Sequence, residues 1–156
     1  MEYLLQETAR ENMTRPARTV APELTVGDLL RLFASGDSDA YPVVRGEKLV
    51  GVVSRADAIE PFCTKPGGND LNFDAIMGTT VQEIMSSRAV AVTLDAPLEQ
   101  VVQLMKVHDF ESFPVVDHEN RVKGVIALED VVRALARCTW SSSLPLPLSP
   151  MGYAIA

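Results

Sequence analysis

Cysteine is nearly absent from this chain: two in 156 residues, Cys63 and Cys138, far apart and outside any C-x-x-C pair. That spacing argues against a zinc ribbon or a disulfide framework and reads as two unpaired thiols in a reducing compartment. Histidine is equally scarce. His108 falls near a helix end and His118 in a turn, neither with companion ligands at metal spacing, so no metal site is expected. Positive charge is short as well: 14 Lys and Arg against 21 Asp and Glu, a net charge of −7 that repels a nucleic-acid polymer. No apolar run approaches the roughly 18 residues of a membrane helix. The start, Met1 to Glu7, lacks the basic and long apolar stretches of a signal peptide. Membrane insertion is therefore not expected, and the cytoplasm is the expected compartment. A nucleophile–base pair and a Walker phosphate loop are missing too, so no catalytic residue is expected. What is present is globular composition, 47% hydrophobic and 22% charged. The length suits one compact domain or two small subdomains that share a core.

The chain repeats itself. Met13-Thr14 recurs as Met85-Ser86 at an offset of 72, and Val20 recurs as Val92. Val26, Leu29, Leu30 and Phe33 recur as Leu98, Val101, Val102 and Met105, each set at the i, i+3, i+4, i+7 spacing of one helix face. Tyr41-Pro42-Val43-Val44 recurs as Phe113-Pro114-Val115-Val116. After one extra residue in a turn, Gly51-Val52-Val53 recurs as Gly124-Val125-Ile126 and Asp57 as Asp130.

Each repeat reads as strand, helix, strand, turn, strand, helix. In the first, a short strand lies near Thr19–Val20, a helix over 26–34, strands over 41–44 and 49–54, and a second helix after Ser54. Such alternation predicts an α/β fold, and the doubling predicts two βαββα units packed with pseudo-two-fold symmetry. One unit of about 50 residues buries too little surface to stand alone. The expected divisions are an N-terminal helix over 1–11, repeat 1 over 12–62, a linker over 63–80, repeat 2 over 81–137 and a tail over 138–156. The linker carries Pro66-Gly67-Gly68-Asn69-Asp70, a loop signal, with Phe62, Phe73, Ile76 and Met77 expected to anchor its ends. The tail is rich in serine and alternating proline, which forbids a regular helix and suits an extended or disordered segment.

The segment Gly51-Val52-Val53-Ser54-Arg55-Ala56-Asp57 carries the most chemistry. A buried strand ends and a helix begins at Ser54, so free backbone N–H groups at the helix start are expected to attract oxygen-rich ligands. Ser54 can donate its hydroxyl, and Asp57 can accept both hydroxyls of a ribose. Ser-x-x-Asp at a helix start is equally an N-terminal capping box, and the local sequence leaves both readings open. The second repeat has Ala127 in place of the serine yet keeps Asp130. Arg15, Arg18 and Arg55 lie near the first motif in sequence and could face a phosphate; Asp109, Glu111 and Glu129 surround the second.

These motifs together resemble a tandem pair of CBS domains, the module of cystathionine β-synthase. The resemblance rests on Met-[Ser/Thr], the amphipathic helix, apolar-Pro-Val-Val and Gly-h-h-[Ser/Thr]-x-x-Asp (h apolar), each present twice and in order across residues 12–137. It implies a non-catalytic regulatory module that binds an adenine nucleotide or adenosyl compound between the repeats. No cofactor is implied beyond that ligand, and the partners implied are a second copy in a homodimer and an effector protein. The alternative is a ligand-free dimerisation module. By the same resemblance one site would use Asp57, Ser54, Thr19, Val20, Ala40, Tyr41, Pro42 and Val43, to which charge adds Arg18 and Arg55. The other would use Asp130, Val92, Thr93, Ser112, Phe113, Pro114 and Val115, weakened by Ala127.

Overall fold

The structure, a computed structural model, describes residues 6–63 and 72–141, with side chains up to Arg137. The glycine-rich part of the expected linker and most of the expected tail lie outside the described residues. Helix α1 (Ala9–Asn12) opens the described chain; residues 1–5 of the expected N-terminal helix lie outside it.

Repeat 1 begins with Val20, bridged in parallel to Val43, and continues into α2 (Val26–Ser35). The Thr25 hydroxyl accepts the Asp28 N–H at 3.2 Å and starts this helix. Its Val26, Leu29 and Phe33 are buried, on the face that the 3.6-residue period selects. The chain then forms the antiparallel hairpin β1 (Ala40–Arg45) and β2 (Lys48–Ser54), turned at Gly46 with φ +66°, and enters α3 (Arg55–Ile59). Helices α4 (Phe73–Gly78) and α5 (Val81–Ile84) follow. Phe62 and Phe73 meet with ring centroids 5.5 Å apart, as expected of the linker anchors.

Repeat 2 has the same plan. Strand β3 (Val92–Thr93) runs parallel to β4 (Ser112–Val116), which pairs antiparallel with β5 (Val122–Ala127). Helix α6 (Leu98–His108) buries Leu98, Val101 and Met105 and stops at Asp109, a left-handed residue with φ 54°. Helix α7 (Leu128–Ser141) runs on into the segment expected to be tail. The α/β architecture of two βαββα units is as the repeat implied.

One feature of the assembly differs from a simple side-by-side pair. Each repeat sends its leading segment across to the other. Thr14 bonds through N–H and C=O to Val125 of β5 at 2.8 and 3.0 Å, and Ser86 does the same to Val52 of β2 at 2.9 and 3.0 Å. Ala9 and Met13 therefore lie in the core of repeat 2, beside Val92, Leu98 and Phe113. Val81 lies in the core of repeat 1, beside Val20, Leu29 and Tyr41. The motif glycines make the crossing fit. A Cβ on Gly51 would stand 2.6 Å from Met85 Sδ and 2.8 Å from the Ser86 carbonyl. On Gly124 it would stand 2.6 Å from Met13 Sδ and 2.8 Å from the Thr14 carbonyl. The two hairpin tips also meet, where the Leu49 N–H donates to the Asn120 carbonyl and the Val122 N–H to the Glu47 carbonyl, each at 3.0 Å.

Candidate functional site

The crossing segments, residues 15–19 and 87–91, run from one sheet to the other and wall two cavities. The Asp57 cavity has a volume of about 340 Å³. From repeat 1 it takes Val52, Ser54 and Asp57 at the junction of β2 and α3, together with Asp39 and Ala40. From repeat 2 it takes the crossing residues Ser86, Arg88, Ala89 and Val90 and the loop and strand from Asp109 to Pro114. The Asp130 cavity is larger, about 560 Å³. Val125, Ala127, Leu128, Glu129 and Asp130 form one side, and Thr14, Pro16, Ala17 and Arg18 cross over to form another. Asp39, Ala40, Glu111 and Ser112 line both cavities.

At the start of α3 the capping box is complete, and the same two side chains line the cavity. Asp57 Oδ2 accepts the Ser54 N–H at 2.7 Å and the Ser54 hydroxyl at 2.8 Å, while Ser54 Oγ accepts the Asp57 N–H at 3.2 Å. This is a complete capping box. The other oxygen, Asp57 Oδ1, has no hydrogen-bond partner among the described residues. At α7 Asp130 Oδ2 accepts the Ala127 N–H at 2.9 Å and Oδ1 accepts from Arg133 at 3.1 Å, so both oxygens are engaged. Asp130 is 5% exposed. The expectation of free N–H groups at the helix start needs correction for the first residue of each helix. The Arg55 N–H donates to the Asp39 carbonyl at 3.0 Å, and the Leu128 N–H donates to the Glu111 carbonyl at 2.7 Å. Those donors hold the loop that precedes each hairpin and are not offered to a ligand.

The cationic side chains are also distributed differently from their order in sequence. Arg18 lines the Asp130 cavity, not the Asp57 cavity. Arg55 lines neither: it donates to the Ser38 and Gly36 carbonyls at 3.1 and 3.4 Å, pairs with Asp39 at 3.4 Å and stands over the Phe33 ring. Arg15 is turned away and donates to the Arg10 carbonyl at 3.3 Å. Arg88, absent from the sequence-based set, lines the Asp57 cavity and has no ion pair or hydrogen bond among the described residues. Each cavity thus holds one arginine among several carboxylates. The reason is the crossing: a residue after Met13-Thr14 is near Asp57 in sequence but passes the opposite motif in space.

Of the remaining expected residues, Ala40 and Ser112 line both cavities, while Phe113 and Pro114, expected beside Asp130, line the Asp57 cavity instead because their strand follows the loop that borders it. Val20, Tyr41, Val43, Val92 and Val115 are buried core side chains, and Pro42 is buried beside them. Thr19 and Thr93 are exposed and line neither cavity. Phe110, also absent from the sequence-based set, is a cavity residue that is 53% exposed. Arg88 aligns with Pro16 and Phe110 with Ser38 in the other repeat, so a reading built on matching positions passes over both. The available signal was the aromatic side chain directly after a helix end, where no helix face can bury it.

Among the described residues no group of three or more His, Cys, Asp or Glu side chains is arranged to hold a metal ion. No described helix is long and apolar enough to cross a membrane.

The comparisons with known proteins agree on the architecture. The family model described as CBS domain matches residues 9–62 and 81–137. The CBS domain-containing protein YhcV of Bacillus subtilis is 31% identical over 124 residues, spanning 80% of this chain and 82% of its own. An uncharacterised protein of Methanocaldococcus jannaschii, MJ0188, is 33% identical over 80% of this chain, which spans 42% of that relative. Several curated relatives are thus much longer than this chain: it spans 23% and 48% of two others from the same organism. Among solved structures, that of CBSX2 in complex with AMP superposes with a TM-score of 0.71 at 25% identity, covering 85% of this chain and 98% of the other.

Proposed function

The chain belongs to the CBS domain family, and from that premise we propose that it is a regulatory module that binds an adenosine-containing ligand in the Asp57 cavity. The observation that carries this reading is the state of the Asp57 carboxylate. One oxygen is fixed by Ser54 and the other is unpartnered, at the wall of a cavity between the repeats. A carboxylate pre-oriented in this way accepts ribose hydroxyls without first losing side-chain freedom, and a charge-assisted bond of that kind contributes about 1.5–3 kcal/mol. Val52, Val90, Phe113 and Pro114 supply apolar surface for a purine, and Arg88 supplies one guanidinium for a phosphate. The AMP bound by the similar CBSX2 structure supports the ligand class.

Charge narrows that class. Asp57, Asp109 and Glu111 stand around the cavity against Arg88, while Asp39 there is paired with Arg55. Each added phosphate therefore meets more repulsion than attraction, and AMP or an uncharged adenosyl compound is favoured over ATP. No catalytic step is assigned to the module. Its output passes to an effector protein, in the cytoplasm, by a shift toward whichever arrangement of the repeats binds ligand better.

The experiment is a calorimetric and thermal-shift titration with AMP, ATP and S-adenosylmethionine. The melting temperature rises with any ligand that binds the folded state. Saturable binding of AMP, tighter than ATP in the absence of divalent cations, is the expected result. No response to any of the three would reject the reading.

A second reading, a homodimerisation module, draws on one observation. Leu128, Val132 and Leu135 of α7 form an exposed apolar stripe at i, i+4, i+7, and Ile59 occupies the matching place on α3 at 56% exposure. Burial of that stripe against a second copy would make the dimer part of the regulatory unit. Sedimentation of the wild type against Val132→Asp distinguishes a dimer built on this face from a monomer.

A further inference from the structure

The two cavities are related by the repeat, yet they differ at an aromatic position. Phe110 lines the Asp57 cavity, and the residue 72 positions earlier, Ser38, lines the Asp130 cavity. Phe110 is 53% exposed, and what marks it out is that this open ring borders the cavity. Its setting is well defined. The left-handed Asp109 ends α6, and the Phe110 N–H donates to the Met105 carbonyl at 3.3 Å, which turns the chain toward the cavity. The His108 imidazole lies nearly parallel to the Phe110 ring, with 20° between the planes and 5.9 Å between centroids. Phe113, a buried wall of the same cavity, meets it at a tilt, 6.0 Å away. These neighbours brace the ring while more than half of the residue stays open.

We propose that Phe110 is the stacking platform for the purine of the ligand, and that the chain consequently takes one adenosine ligand, in the Asp57 cavity. This rests on the adenosine reading of that cavity and extends it to a residue outside the sequence motif. A planar ring held at the mouth presents a π-face at little entropic cost, and base–aromatic stacking is sequence-tolerant but requires a flat partner. Ser38 offers no such face. In the same cavity Asp130 has both oxygens engaged and Ala127 lacks a hydroxyl. The two differences fall on the same side, so the second cavity lacks both the sugar acceptor and the base platform.

The test uses the full chain and two probes, AMP by calorimetry and 2-aminopurine riboside by fluorescence, whose emission drops when its base stacks. The wild type should bind one equivalent and quench the fluorescent riboside. Phe110→Ser, which installs the residue of the other repeat, should weaken AMP binding by about tenfold or more and abolish the quench. Phe110→Leu, apolar but not planar, should lose the quench while keeping the wild-type melting temperature. Ser38→Ala should change neither readout. The platform is refuted if both Phe110 variants bind and quench like the wild type while Asp57→Ala weakens binding; the adenosine reading of the cavity then survives. Two equivalents of equal affinity would refute the single-site claim. A wild type that binds neither probe would reject the adenosine reading itself.

Discussion

A single carboxylate pair shows how position decides role. Asp57 and Asp130 occupy the same place in the repeat, yet Asp57 keeps one oxygen unpartnered while Asp130 gives its second to Arg133. Asp57→Ala should therefore weaken AMP binding roughly 10- to 100-fold, the equivalent of one or two charge-assisted bonds. Asp130→Ala should leave AMP binding nearly unchanged and lower stability by about 1 kcal/mol through loss of the helix cap. Calorimetry and urea denaturation on both variants separate the effects, and the reverse order would show that the cavities are ranked wrongly. A third aspartate acts only on the fold. Asp117, 8% exposed at the tip of the second hairpin, accepts the Glu119 and Arg121 N–H groups at 2.9 and 3.0 Å and Arg121 Nε at 2.8 Å. Burial pushes its pKa up, but the hydrogen bonds from Arg121 and Glu119 outweigh burial and hold it down to about 2. A folded pKa below the unfolded one means the contribution is complete above pH ~4 and fades as pH falls toward ~2. Asp117→Asn should consequently flatten the acid limb of a stability–pH curve in that window. An unchanged limb would show that other carboxylates govern acid unfolding.

At the level of elements, the helix faces and hairpins were legible in the sequence because a 3.6 or 2.0 period marks which side is buried. Val26, Leu29 and Phe33 are buried as their spacing demands, and the Tyr41 and Phe113 strands lie where the apolar-Pro-Val-Val runs put them. The destination of the leading segments was not legible. An offset of 72 is satisfied whether Met13-Thr14 pairs with its own sheet or with the other, since the two sheets are equivalent in pattern. That ambiguity put Arg18 beside Asp57 in the sequence reading and left Arg88 unnoticed. The glycines held the missing information. Gly51 and Gly124 do not have the left-handed conformation that would explain them as turn formers; they are required by the close approach of the Ser86 and Thr14 carbonyls. Gly51→Ala and Gly124→Ala should each destabilise by about 1–3 kcal/mol, as overpacking of a fitted contact does. Chemical denaturation measures this, and a neutral alanine at either position would show that the crossing segment yields easily.

For the whole molecule, the exchange of leading segments makes the two repeats one cooperative unit. Each core is completed by the other repeat's preceding helix: Ala9 donates its N–H to the Ala96 carbonyl at 2.9 Å, and Val81 donates to the Leu24 carbonyl at 2.8 Å. Both side chains are fully buried there. A fragment ending at residue 63 would expose Met13 and Ala9, lose Val81 from around Val20 and Tyr41, and leave the outer edge of β2 without Ser86. A unit of that size buries only about 60% of its unfolded surface even when its core is intact, and the missing pieces remove the margin. Fragments 1–63 and 72–156 should each lack a cooperative thermal transition by circular dichroism, and mixing them should restore one. The same exchange is what puts a crossing segment from one repeat against the carboxylate of the other, so the mixture should also regain AMP binding that neither fragment has. Cooperative folding of 1–63 alone would mean that the crossing is incidental to the core, and the coupling between ligand and the relative placement of the repeats would lose its structural basis.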